Sequence, residues 1–209
     1  MSHNPTTKRG LFVSVDGPNG AGKSSLVTVL KECLIKNGLK VHLTKEVTAT
    51  PLGGFIRETH KQYHGKTLAY LLAADRQNHL EADVLPALEN HDIVITDRYV
   101  GSSLVYQRMD GVELSFLWNL NKEFLKPGLS IIVFASPAVI RNRLAERSSL
   151  DRFESNFSRE DEVNLFMEAA TFMEEHGLRV SRFKNETLSV EEGAKHLADQ
   201  VLLVKSQNG

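Results

Sequence analysis

Short, almost continuously apolar runs alternate with longer segments whose apolar residues recur at helical spacing, and this alternation organises the chain. Leu11-Phe12-Val13-Ser14-Val15 predicts a first strand over about Gly10 to Asp16. A first helix follows from about Lys23 to Asn37, with Gly38 as its stop. Leu39 to Lys45 reads as a second strand that ends at Glu46. Pro51-Leu52-Gly53-Gly54 reads as a turn into a short helix carrying Arg57. Thr67 is placed to cap a long amphipathic helix from Leu68 to about Glu89, which Pro86 should kink or shorten.

Ile93-Val94-Ile95 has the length and apolarity of a buried parallel strand and ends in Thr96-Asp97-Arg98-Tyr99. A helical stretch, a turn at Asp110-Gly111 and a helix from Phe116 to Lys126 come next. Leu129 to Ala135 predicts a fourth strand. Ser136-Pro137 then opens a helix to about Arg147, followed by a polar stretch from Ser148 to Ser155. Ser158 with Asp161 resembles a capping box for a helix ending at Gly177. Val180 to Phe183 reads as the last strand, and Ser189 with Glu192 caps a final helix to about Val204.

Strands alternating with helices define an α/β protein with a parallel sheet covered on both faces. Ligands of such sheets lie beyond the carboxyl ends of the strands, so the chemistry belongs to Gly17 to Ser25, Glu46, Asp97-Arg98 and the segment after Ala135. The 209 residues fit one domain, here 10–209, behind a flexible N-terminal tail, 1–9. A formal net charge of −1 argues against nucleic acid or an anionic membrane as the partner. The lone Cys33 fits a reducing compartment, and no apolar run approaches membrane-spanning length, so a cytoplasmic protein is expected.

Gly17-Pro18-Asn19-Gly20-Ala21-Gly22-Lys23-Ser24-Ser25 changes this picture from a fold to a chemistry. It is the G-x-x-x-x-G-K-[ST] pattern, placed after a strand and at the opening of a helix, the context that gives the pattern its meaning. Glycines let the backbone close around a polyphosphate so that N–H groups at a helix N-terminus point at the anion. Lys23 then reaches the β- and γ-phosphates, and the Ser24 hydroxyl is a ligand for Mg²⁺. Asp97, at the end of an apolar strand, is placed to support Mg²⁺ or its water shell. Arg98 beside it projects into the same cleft, and Arg57 and Arg76 lie on predicted helices. Three guanidinium groups suggest an acceptor that already carries a phosphate, since arginine forks clamp phosphate bidentately. Such an acceptor needs no strong general base, and the eight histidines are scattered. Trp118 reads as core or interface.

Several separate motifs, in order from about Gly10 to Gly177, resemble the thymidylate kinase family of nucleoside monophosphate kinases. They are Val15 to Ser25, Thr44-Lys45-Glu46 with Pro51-Leu52-Gly53 and Ile56-Arg57, Leu71 to Arg76, Asp97 to Gln107, and Leu150-Asp151-Arg152-Phe153-Glu154. The resemblance implies a P-loop NTPase fold with a five-stranded parallel sheet, a homodimer, and Mg²⁺-dependent transfer from ATP to a nucleoside monophosphate, by default dTMP. It places Gly17, Asn19, Gly20, Ala21, Gly22, Lys23, Ser24 and Ser25 on ATP. It gives the acceptor phosphate to Arg57 and Arg98, the base to Arg76, and the base and sugar lining to Ser103, Tyr106 and Gln107. The stretch from Arg143 to Arg152 would be a lid over ATP, within a lid segment near 143–155. Gly20 replaces the P-loop arginine of one branch of the family, so the catalytic arginine is expected from Arg143, Arg147 or Arg152, with Arg147 first.

The acceptor pocket departs from the family pattern. Asn19 stands where Asp or Glu is common, Leu72 where a Phe commonly stacks on thymine, and Lys45 and Val47 where Arg and Pro flank Glu46. Base–aromatic stacking is worth about 1–3 kcal/mol, and lysine lacks the arginine fork. Two alternatives therefore stand beside the dTMP kinase: a relative acting on a different or modified nucleoside monophosphate, and a nucleotide-binding protein without transfer activity.

Overall fold

The apolar runs pair side by side, all parallel, into one five-stranded sheet. The structure is a computed structural model and describes residues 10–145 and 157–207. β1 (Leu11–Asp16) is central and buried along its whole length. It pairs with β3 (Ile93–Asp97) on one side and β4 (Leu129–Phe134) on the other. β2 (Val41–Lys45) flanks β3 and β5 (Val180–Lys184) flanks β4, giving the order β2-β3-β1-β4-β5. Asp97 aligns with Val15 on one side and Lys45 on the other. The strand ends that matter for chemistry are thus brought level.

Alternation along β1 sends successive side chains to opposite faces. Leu11, Val13 and Val15 join the cluster formed with α1 (Lys23–Lys36) and the final helix, Val190–Gln207. Phe12 goes to the second cluster, with Val94 and Ile132. That face is covered by α3 (Gly65–His79), α4 (Leu85–Asn90), α5 (Val100–Met109), α6 (Leu114–Asn121) and α8 (Arg159–Glu175). The remaining helices are α2 (Pro51–Thr59) and α7 (Pro137–Ala145), and Val190–Gln207 is α9.

Helix ends follow their capping chemistry, and three of them correct the expectations. Pro51 to Gly54 is the first turn of α2 itself, because Thr50 accepts a hydrogen bond from Gly53 N and Pro51 occupies the first turn. α3 starts at Gly65 rather than after Thr67: Leu68 N already bonds His64 O, which places Thr67 inside the first turn. A π turn at Leu80–Val84 separates α3 from α4. Pro86 has no N–H for the carbonyl four residues back, and the wider turn accommodates that gap. α6 ends at Asn121, short of Lys126. Lys126 precedes Pro127, which disfavours helical backbone there, and Tyr99 Oη ties the carbonyl of Leu125 at 2.8 Å. Ser158 caps α8 through Asp161 N at 3.0 Å, and Ser189 and Glu192 cap α9 reciprocally. α7 is described to Ala145, so the expected continuation to Arg147 lies outside the described residues.

Candidate active site

The loop from Gly17 to Gly22 leaves the central strand and turns directly into α1. A Cβ on Gly17 would lie 1.9 Å from Val133 O, so only glycine lets the loop pass β4 this closely. Gly22, at φ 89°, takes the N-cap of α1 in left-handed backbone. The first turn of α1 contains no acidic residue and no side-chain cap, so its N–H groups remain aimed at the cleft. Lys23 is 5 % exposed, and its Nζ donates to Pro18 O at 2.7 Å. Burial, with Arg98 nearby, brings its pKa down to about 7. Asp97, Glu162 and Asp16 oppose that shift without outweighing it, and a polyphosphate in the cleft would add further opposing charge.

Ser24 Oγ donates to Asp97 Oδ2 at 2.7 Å. Asp97 Oδ1 is buried and has no partner among the described residues. A hydroxyl beside a carboxylate with an unused oxygen is a donor set suited to Mg²⁺, which prefers oxygen ligands and retains several waters.

Asp16, at the end of β1, accepts hydrogen bonds from Tyr99 N, Ser102 N and Ser102 Oγ at 2.7–2.9 Å. Burial pushes its carboxyl upward against those bonds. Asp16 thereby seats the start of α5. The intervening Arg98 is held at φ 75°, a left-handed conformation costly for a long side chain, with its N–H on Val15 O at 2.9 Å. Its guanidinium reaches Asn19 Oδ1, Ser102 Oγ and Tyr106 Oη, and lies 5.3 Å from the Tyr106 ring centroid.

Two cavities meet at these residues. One, of about 220 Å³, is formed by Asn19, Gly20, Gly22, Lys23, Ser24 and Ser25 with Asp97 and Arg98. The other, of about 400 Å³, holds Glu46, Arg57, Leu72 and Arg76 on one side and Ser103, Tyr106 and Gln107 on α5. Asn19 and Arg98 border both. The structure therefore brings every described residue expected on the acceptor into one cavity. Arg57 rests on the carbonyls of Val47 and Thr48, with its outer side exposed. Arg76 is 2 % exposed and bonds Glu46 through Nε and Nη2, Ser103 through Nη2 and Asn121 through Nη1. Arg143 braces the loop through Ala21 O at 3.3 Å and Asn185 O at 3.0 Å. Arg147 and Arg152 lie outside the described residues.

Sequence reasoning missed Glu162. It is fully buried on α8, accepts from Asn19 N at 3.0 Å and Tyr106 Oη at 2.9 Å, and pairs with Arg159. Burial holds the Tyr106 hydroxyl well above its usual pKa, which keeps it a donor to Glu162. Asn121 and His60 were also missed: one fixes Arg76, the other borders the larger cavity. Neither belongs to a motif. Asn121 stands beside Asn119, Lys122 and Glu123, so nothing in the sequence marked it out.

A glycine loop on the central strand of this parallel sheet, opening a helix at the carboxyl edge, defines a P-loop NTPase fold. The family model for thymidylate kinase matches residues 15–191. A protein of Pyrococcus abyssi described as a probable thymidylate kinase is 33% identical over 208 residues, covering 95% of this chain and 98% of that protein. A thymidylate kinase of Leifsonia xyli subsp. xyli is 36% identical over 163 residues, covering 74% and 78%. A probable thymidylate kinase of Caldivirga maquilingensis is 35% identical over 150 residues, covering 70% and 73%. The chain belongs to the thymidylate kinase family.

Proposed function

We propose that this chain is a nucleoside monophosphate kinase that moves the γ-phosphoryl group of Mg·ATP to dTMP, giving dTDP and ADP. The observation that carries the reading is the pair of adjoining cavities, one made by the P-loop, the other by arginines, with Asn19 and Arg98 common to both. A donor phosphate in the first and an acceptor phosphate in the second would face each other across Arg98. An acceptor phosphate oxygen then forms a bond to the γ-phosphorus while the bond to the β–γ bridging oxygen breaks. The acceptor is already anionic, so positioning and charge neutralisation carry the step. Lys23 would stabilise the β- and γ-oxygens, Arg98 and Arg57 the acceptor phosphate, and Arg76, Leu72, Ser103 and Gln107 the base. Mg²⁺, held by Ser24 and Asp97, would supply further charge neutralisation at the phosphates. The remaining positive charge is assigned to the segment 143–152, with Arg147 first, because Arg143 is engaged in bracing the P-loop.

Among the described residues no helix is long and apolar enough to cross a membrane. A cytoplasmic homodimer is part of this proposal. The aromatic side chains of Phe116, Trp118 and Phe172, only partly buried on α6 and α8, support a partner face there. Sedimentation velocity should return a dimer, and a monomer at micromolar concentration would contradict it.

One observation favours a second acceptor. Leu72 borders the cavity where an aromatic ring would stack, so the base could be other than thymine, or modified. A panel of nucleoside monophosphates with Mg·ATP decides, scored as ADP release above the rate without acceptor. The proposal expects dTMP to give the highest kcat/KM. Activity confined to another monophosphate favours the second acceptor, and no acceptor-dependent release favours a binding protein.

A further inference from the structure

α3 carries Asp75, Arg76 and His79, which are 1%, 2% and 2% exposed. All three address the segment that leaves β2. Asp75 takes the N–H and the hydroxyl of Thr48 at 2.9 and 2.6 Å. Arg76 clasps Glu46, with Nη2 at 2.6 Å. His79 places Nδ1 3.3 Å from Glu46 Oε1 and Nε2 2.7 Å from Thr44 Oγ1. A carboxylate only accepts, so Nδ1 is the donor to Glu46. Behind it, Asp83 Oδ2 lies 3.5 Å from Nε2, and Asp83 Oδ1 bonds His42 at 2.8 Å.

Burying so many polar groups on one helix is costly compared with an apolar stripe, which would pack as well. What the polar stripe provides is orientation. With Glu46 held, the Arg76 guanidinium has Nε and one Nη2 hydrogen committed to it, and lies 4.9 and 5.8 Å from the Tyr99 and Phe124 ring centroids. With Thr48 held, its carbonyl and that of Val47 anchor Arg57.

We propose that His79 is a positioning residue for acceptor recognition: it fixes Glu46 and, through Glu46, aims Arg76 at the base. Asp75 is its counterpart at the other end, fixing Thr48 and through it Arg57 at the acceptor phosphate. This rests on the reading of the 400 Å³ cavity as the acceptor site. Neither residue touches substrate; each acts through an arginine.

The test uses the full chain with His79→Gln, His79→Asn and Asp75→Asn. An asparagine amide nitrogen overlays Nδ1 of histidine and keeps the bond to Glu46, whereas glutamine overlays Nε2 and loses it. His79→Gln should raise the dTMP KM about tenfold, the loss of one hydrogen bond to a charged group, with kcat and the ATP KM unchanged. Competitive inhibition by thymidine, which lacks the phosphate, should weaken by the same factor, and inhibition by 2-deoxyribose 5-phosphate, which lacks the base, should not. His79→Asn should restore parental values. Asp75→Asn should show the reverse selectivity. The Arg76 Nε–H resonance, assigned by its loss in Arg76→Lys, should shift in His79→Gln and stay in place in Asp75→Asn. An unmoved Arg76 resonance in His79→Gln, or equal weakening of both probes, overturns the proposal. Should the parent fail to phosphorylate dTMP, the dTMP assignment falls, and the Arg76 resonance still decides this proposal.

Discussion

Lys23 donates to a carbonyl of its own loop and is not part of the apolar core. Lys23→Ala should therefore lower kcat by at least about 10²–10³-fold, the loss of a preorganised charge at the transferring phosphate. Tm should stay at or above the parental value, because a buried ammonium with its pKa brought down to about 7 is no source of stability. Turnover near the parental rate in soluble Lys23→Ala would remove the P-loop from the mechanism. At the acceptor, Leu72→Phe combined with Asn19→Asp should improve kcat/KM for dTMP about fivefold or more, by restoring a stacking face and an anionic partner for Arg98. An unchanged dTMP kcat/KM would mean that neither departure affects the pocket. Lys23, Ser24, Asp97, Arg98, Glu46 and Arg76 were legible because each stands at a strand end or within a spaced motif. Glu162 was not: it meets Asn19 across 143 residues of sequence, and only the packing of α8 on the sheet brings them together.

At the level of elements, α5 depends on a side chain outside it. Asp16 accepts both Tyr99 N and Ser102 N, the cap that no residue of the helix itself provides. Asp16→Ala should cost about 2–4 kcal/mol of unfolding free energy in urea, a lost cap plus buried N–H groups left unpaired. The dTMP KM should rise with it, since Arg98, Ser103 and Tyr106 all take their positions from the start of α5. A loss below about 0.5 kcal/mol, the range of ordinary surface changes, would contradict this. The segment 143–152 carries a separate expectation. At least one of Arg143→Ala, Arg147→Ala and Arg152→Ala should drop kcat on the order of 10³-fold with little change in acceptor KM. Three variants within a few-fold of the parent would exclude a lid arginine. The three inner strands β1, β3 and β4 were easily read as nearly uninterrupted apolar runs. The edge strands β2 and β5, VHLTK and VSRFK, carry polar residues and were read from their place between helices; helix starts depended on local caps. Thr67 looked like a cap by residue type, but the chain had already turned helical at Gly65, which no side-chain signal marks.

Across the whole molecule, the parallel order β2-β3-β1-β4-β5 sets the P-loop beside Asp97 and sets Arg98 between two cavities. The resemblance implied a five-stranded parallel sheet, but neither its strand order nor that Asn19 and Arg98 would border both compartments, which depends on how α5 and the loop meet in space. The proposed function requires that these compartments hold donor and acceptor for one direct transfer. The most direct measurement is ³¹P NMR of the parent protein with Mg·ATP and dTMP, following all phosphorus species to equilibrium. Direct transfer yields dTDP and ADP in equal amounts, dependent on dTMP and abolished in Lys23→Ala. ADP accompanied by inorganic phosphate, with no dTDP, would contradict it.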